Sequence, residues 1–309
     1  MNNFSLTTPI ALLVFNRPET TARVFSAIRE ARPACLLVVA DGPREDHYTD
    51  VERCDEVRRI VEQVDWPCEV LRNYSEINLG CGVRPASGIT WVFEQVEEAI
   101  ILEDDCLPHP TFFRYCQDLL GKYRDDERIM HIAGNNSSAV SSKGAYSYYF
   151  SLFPHCWGWA SWRRAWRHFD FDMKHFLEII NEGWLDCILS DRGISKSWQY
   201  RFMEAFGPGK KHIWDFQWTF ACWINNGLSI LPNNNLISNI GFGSAATHTK
   251  DVNSKFAFIP ISPMKFPLCH PPFVIRDVEA DKRTEHDVFG QDLIKKVVDA
   301  LKCQIRGLK

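Results

Sequence analysis

The chain has 309 residues, 45% of them hydrophobic and 24% charged, with a formal net charge of -4. That apolar content suits one large core or two smaller ones and excludes a disordered chain, while the slight acidity excludes a basic face for nucleic acid. Eleven cysteines, an odd number scattered from Cys35 to Cys303 without a CxxC or a Cys/His cluster, exclude zinc-ligand spacing and read as free thiols of a reducing, cytoplasmic setting.

The opening stretch MNNFSLTTPIALLVF has no basic segment, and its apolar run is too short for a signal peptide or a membrane span, so the chain is expected to start with a folded strand. Short apolar runs predict strands at 10–15, 35–40, 68–72, 98–102 and 129–133. Between them Pro18 marks a helix start with 19–31 helical, and apolar residues at helical spacing predict helices over 51–64 and 89–96. This alternation predicts an α/β fold, a mainly parallel sheet flanked by helices, with right-handed crossovers.

From about Tyr146 aromatic residues crowd together and the alternation is lost, which places a boundary near residue 140. The expected organisation is an α/β half over 1–140, a second half of the same domain over 141–250, and a C-terminal extension over 251–309. Residues 287–309 read as an amphipathic helix with Phe289, Leu293 and Val297 on its apolar side. Its lysines, Lys295, Lys296 and Lys302 among them, either stay solvated or touch an anionic membrane.

In open α/β sheets ligands bind beyond the carboxyl ends of the strands, so the residues that follow each strand are the candidates. Glu103, Asp104 and Asp105 follow an apolar run, and such crowded carboxylates are costly without a cation; a divalent ion shared with a diphosphate would relieve the repulsion. An acidic cap on a following helix at 110–123 is the competing reading. Arg17 and Asp41 also follow strands and either complete a nucleotide site or are surface turn residues. The loop 78–82 contains glycines but no dinucleotide-binding pattern. Downstream, Trp157, Trp159 and Trp162 around Gly158 form either core or a wall for a sugar face, with Trp159 the candidate contact. Asp215, flanked by Trp214, Phe216 and Trp218, is either a general base in an apolar setting or the cap of a helix over 216–225. His248 follows a Gly/Ser/Ala-rich segment and is a candidate further metal or phosphate contact on a lid.

The run from Val96 to Asp105, VEEAIILEDD, followed by 108–115, resembles the metal-binding segment of the N-acetylglucosaminyltransferase I family, and bacterial hemolytic-protein-like relatives look closer still. The resemblance spans residues 8–250, with 9–17 similar to the family's first strand, 153–166 to its Gly-Trp segment and 214–218 to its base-bearing segment; 251–309 resemble nothing in it. It implies a GT-A fold with a nucleotide-sugar-binding half over 1–140 and an acceptor-binding and catalytic half over 141–250, dependence on Mn²⁺ or Mg²⁺, and an inverting glycosyltransferase acting on a UDP-sugar donor and a carbohydrate or glycolipid acceptor. It further implies Asp105 as direct metal ligand, Glu103 and Asp104 on the sugar or ribose, Asp41 and Arg17 on the uridine, and Asp215 as base. A retaining transferase, a non-catalytic nucleotide-sugar-binding protein and a metal-dependent phosphoesterase are the alternatives.

Overall fold

The computed structural model describes residues 4–137, 145–189, 191–207, 213–243, 251 and 254–289. The first apolar run becomes β1 (Ile10–Val14), buried along its whole length. Pro18 stands at the first position of α1 (Pro18–Ala31), where its missing N–H costs nothing, and Arg32 ends the helix in the left-handed conformation. Then come β2 (Cys35–Ala40), α2 (Tyr48–Val61), β3 (Glu69–Tyr74), α3 (Gly80–Gln95), β4 (Glu98–Glu103), the short β5 (Cys106–Pro108), α4 (Thr111–Lys122) and β6 (Ile129–Ala133).

The expected strands form within two residues of their expected ends, but α3 begins at Gly80, well before the expected 89. Gly80, Gly82 and Pro85 carry no apolar period and are poor helix formers, so contact with the sheet rather than propensity sets this start. A Cβ at Gly88 would lie 2.4 Å from Val39 Cγ1, so α3 approaches β2 more closely than any side chain there would permit.

The second half contributes β7 (Tyr148–Ser151), β8 (Trp159–Trp162), α5 (Arg163–Trp166), α6 (Phe176–Asn181), α7 (Trp184–Leu189), α8 (Arg192–Ala205), α9 (Asp215–Ile224), β9 (Leu228–Pro232), β10 (Ile237–Asn239) and α10 (Val278–Thr284). Among the described residues the main sheet runs β3-β2-β1-β4-β8-β6-β9-β7. β1 to β4 are parallel, whereas β8 pairs antiparallel with both β4 and β6, so the sheet joins residues on both sides of position 140. Side chains alternate across it: Ile10, Leu12, Leu36 and Val38 pack under α1, α2 and α4, while Ala11, Leu13, Leu37 and Val39 pack under α3 and the aromatic helices α8 and α9. β5 and β10 pair separately, Asn239 opposite Cys106, and so bring the 237–241 segment beside Asp105.

The final described segment folds back on the sheet. Asp281 accepts from Ser151 Oγ and Leu152 N, Glu285 accepts from Trp198 Nε1, and the Phe289 ring packs on Trp198 and Phe153. Residues 290–309, with the rest of the expected amphipathic helix, lie outside the described residues, as does His248. No helix among the described residues is long and apolar enough to cross a membrane, and every described cysteine is a free thiol.

Candidate functional site

β1 and β4 run side by side with Leu13 opposite Glu103, so the residues that leave both strands meet at one edge of the sheet. Phe15 N donates to Asp104 Oδ2 at 3.1 Å, tying the two strand exits together. The Arg17 guanidinium spans the carboxylates, 2.6 Å from Asp105 Oδ2 and 3.4 Å from Asp104 Oδ1, and all three side chains are largely buried. Burial opposes the charge of Arg17, but Asp104, Asp105 and Glu103 together outweigh it and raise its pKa. Glu103 is held well above the usual carboxylate range, first by burial and then by the charges of Asp105 and Asp104. Asp104 is raised by burial against the pull of Arg17. The site thus crowds three acids where water cannot screen them, with one guanidinium as partial compensation, and burial favours the protonated form of Glu103.

Two cavities open here and share Arg17, Cys81 and Glu103. The smaller, about 210 Å³, lies between the ends of β1 and β2 and the start of α3, with Leu13 and Val39 as its apolar floor and Asp41, Arg44 and Arg84 at its polar rim. The larger, about 440 Å³, is lined by Asp105, Asp215, Asn135, His155, Trp157 and Phe289 among others.

Asp41 is tied into the local fold. Its carboxylate accepts from Gly42 N, Leu79 N, Gly80 N and Asn78 Nδ2 at 2.9–3.1 Å, which matches the roughly four lone-pair positions of a carboxylate. Burial raises its pKa, and these backbone donors pull it back. The structure uses Asp41 to seat the first turn of α3, and the same residue lines the smaller cavity. Sequence reasoning missed the neighbouring network in which Arg44 forks onto Asp50 at 2.6 and 3.0 Å while Asn16 Nδ2 donates to the same carboxylate. Arg44 holds Asp50 down to about 2. The only signal was that Asn16 and Arg44 each follow a strand.

Asp215 opens α9, in the first turn where the helix dipole favours a carboxylate, and its Oδ1 accepts from Phe216 N at 3.0 Å. It is half-buried on the larger cavity, and its charge is felt at Glu103. Asp215 is thus the first residue of the helix, after the cap Trp214, and at the same time a cavity-lining acid. Trp159 does not reach the cavity: it is fully buried, stacked on His131 at 4.9 Å and on Trp214 at 5.8 Å. Gly158, at φ +60°, turns the chain so that Trp157 faces the cavity while Trp159 enters the core, which corrects the expected sugar contact.

Among the described residues no three His, Cys, Asp or Glu side chains converge as a metal cage. Asp105 nonetheless presents its carboxylate to the larger cavity, and the chain at Gly241 passes so close that a Cβ there would lie 2.2 Å from Asp105 Oδ2. A single cavity-lining carboxylate, here largely buried and already paired with Arg17, suits an ion most of whose ligands are phosphate oxygens and water, as hard divalent cations bind beside nucleotides.

No known protein family matches the chain as a sequence, and no curated protein does. Among solved structures it is similar to the mannosyltransferase PcManGT from Pyrobaculum calidifontis in complex with GDP-Man and Mn²⁺, at 12% identity and TM-score 0.35, over 52% of this chain and 45% of that one. It is also similar to mouse xyloside xylosyltransferase 1 in its apo form, at 12% identity and TM-score 0.36 over 70% and 81% of the two chains. A cytidylyltransferase from Leptospira borgpetersenii serovar Hardjo-bovis matches at 10% identity and TM-score 0.32, over 54% and 64%. The chain spans less than half the length of the mannosyltransferase, and likenesses this distant transfer no residue roles.

Proposed function

We propose that the protein is a glycosyltransferase of the GT-A type that moves a sugar from a nucleotide diphosphate, a UDP-sugar foremost, to the hydroxyl of a carbohydrate or glycolipid acceptor. The observation that carries this reading is the meeting of two cavities at Arg17 and Glu103, with Asp105 and Asp215 both lining the larger one. The smaller pocket suits a nucleoside between its apolar floor and polar rim. The diphosphate then lies at the junction, within reach of the Arg17 guanidinium, whose forked donors match phosphate oxygens.

Asp105 would hold Mn²⁺ or Mg²⁺ together with those oxygens, with Glu103 and Asp104 toward the ribose and sugar. When bound, the ion supplies positive charge that offsets the diphosphate as it leaves. Asp215 accepts the proton of the acceptor hydroxyl as its oxygen bonds to the sugar C1 and the C1–O bond to the diphosphate breaks. Attack from the face opposite the diphosphate inverts the anomeric centre. Aromatic walls around the larger cavity limit access of water, which would otherwise take the sugar. A place in surface polysaccharide synthesis, with peripheral contact at a membrane bearing a glycolipid acceptor, is consistent with this chemistry.

The test is a screen of nucleotide sugars for Mn²⁺-dependent hydrolysis, since transferases pass sugar slowly to water. Release of free sugar and nucleoside diphosphate from at least one donor is expected. Release of inorganic phosphate would point instead to a phosphoesterase, and tight binding without turnover to a binding protein.

A further inference from the structure

His155 and Asn135 both line the larger cavity, and each is only 6% exposed. Neither ring nitrogen of His155 has a hydrogen-bond partner among the described residues, and neither has Asn135 Oδ1. The two residues are neighbours: the main chain of Asn135 approaches the imidazole as a weak hydrogen-bond acceptor, short of full hydrogen-bond geometry, and so favours its charged form. Burial nevertheless dominates and lowers the His155 pKa to about 4. The ring is therefore neutral near pH 7, with a lone pair to fill and an N–H that the Asn135 main chain engages only weakly. His131, deeper in the sheet, shows how this fold satisfies a histidine when it can: its Nε2 pairs with His155 O at 3.0 Å and its Nδ1 accepts from Trp218 at 3.1 Å. Buried polar atoms left unpaired are costly and rare, and at a cavity wall they call for a ligand that completes them.

We propose that His155 and Asn135 form a subsite that reads the hydroxyls of an uncharged pyranose in the larger cavity, a deepening that rests on the glycosyltransferase reading above. A hydroxyl gives and accepts at once, so neighbouring sugar hydroxyls satisfy the imidazole N–H, its lone pair and the amide oxygen together. Trp157, Trp214 and Phe289 on the same lining offer apolar surface to the C–H face of the ring. A uronic acid fits poorly. Its carboxylate would face the Asn135 oxygen, the imidazole lone pair and the acids Asp105 and Asp215 around the same cavity, while the guanidinium there, Arg17, is already engaged by Asp105 and Asp104. The subsite therefore selects neutral sugars by leaving an acidic one unpaired and repelled.

Calorimetry in Mn²⁺ with UDP, UDP-glucose, UDP-galactose, UDP-N-acetylglucosamine and UDP-glucuronate tests the donor as source of these hydroxyls. Saturation-transfer NMR with methyl glucoside, methyl galactoside, methyl mannoside and glucuronate in the presence of UDP and Mg²⁺ tests the acceptor. In one of the two arms a neutral sugar should bind at least about tenfold better than the glucuronate form. His155→Phe and Asn135→Leu, each checked for folding by circular dichroism, should each remove about tenfold of that sugar's affinity and leave UDP affinity unchanged. If UDP does not bind, the nucleotide-sugar reading fails, and methyl glycosides without nucleotide then judge the subsite. Glucuronate binding as well as the neutral sugars, no neutral sugar binding in either arm, or folded variants that keep full sugar affinity would each overturn the subsite.

Discussion

Asp105 and Arg17 face each other at 2.6 Å, so Asp105→Ala removes the proposed ion ligand and also leaves a buried guanidinium short of its closest partner. Mn²⁺-dependent binding of UDP is expected to disappear in this variant, with a milder loss in Glu103→Ala; unchanged affinity of Asp105→Ala by calorimetry would remove the metal assignment. Asp215→Asn keeps shape and a hydrogen-bonding oxygen but cannot take a proton. Its turnover on a confirmed donor and acceptor is expected to fall roughly 10²–10⁴-fold with donor affinity nearly unchanged, and transfer within a few fold of wild type would place the base elsewhere. Asp41→Asn separates two roles. As the seat of α3, Asp41 meets four donors, and the amide variant turns an NH₂ group toward some of them. A loss of about 1–3 kcal/mol in urea unfolding is expected. A residue that only read a nucleobase would instead change affinity and leave stability alone.

α3 is the element whose sequence least announces it and whose position matters most to the site. Its first turn rests on Asp41, and Cys81 in that turn lines both cavities. Gly88 sits where the helix crosses β2, and alanine there would be worth about 1 kcal/mol in favour of the helix by propensity alone. The Cβ would nonetheless meet Val39 Cγ1 at 2.4 Å, and overpacking of that kind costs about 1–3 kcal/mol, so Gly88→Ala is expected to destabilise. A higher melting temperature in Gly88→Ala would show that propensity wins and that the helix can move off the sheet. Periodicity found only the second half of this helix because a glycine-rich first half held by contact leaves no apolar stripe to read.

On the scale of the whole molecule, the two buried histidines couple the fold to pH. Burial lowers His131 to about 3 and His155 to about 4, while both return to about 6.5 on unfolding. Between those values the unfolded chain binds more protons, so their contribution to stability is full above pH 6.5 and is lost as pH falls. Each histidine costs up to about 1.4 kcal/mol per pH unit across its window. Buried acids with raised pKa, Glu103 and Asp104 among them, act in the opposite sense over part of the same range, so the difference between variants is the cleaner measurement. His131→Gln can still accept from Trp218 and donate to His155 O, yet does not titrate. Its unfolding free energy should depend less steeply on pH than that of wild type between pH 6.5 and 4, and parallel curves would show that His131 does not titrate on unfolding.

Residue order alone determined the first strands, α1, the acidic run at the end of β4 and the acid at the head of α9, because apolar runs, a helix-starting proline and polar strand exits are written within a few residues of one another. Tertiary structure decided which of those groups meet. Nothing near β8 specifies that it slips antiparallel between β4 and β6, since a strand's neighbours are chosen by packing across the whole sheet. The division of labour between Trp157 and Trp159 turns on one backbone angle at Gly158. Asp41 became the seat of a helix 39 residues later in the chain, and His155 came to lie beside Asn135 although β7 separates them in the chain. Burial and hydrogen-bond partnership depend on residues distant in the chain, so only the folded molecule could show which polar groups are satisfied by the protein and which are left to a ligand.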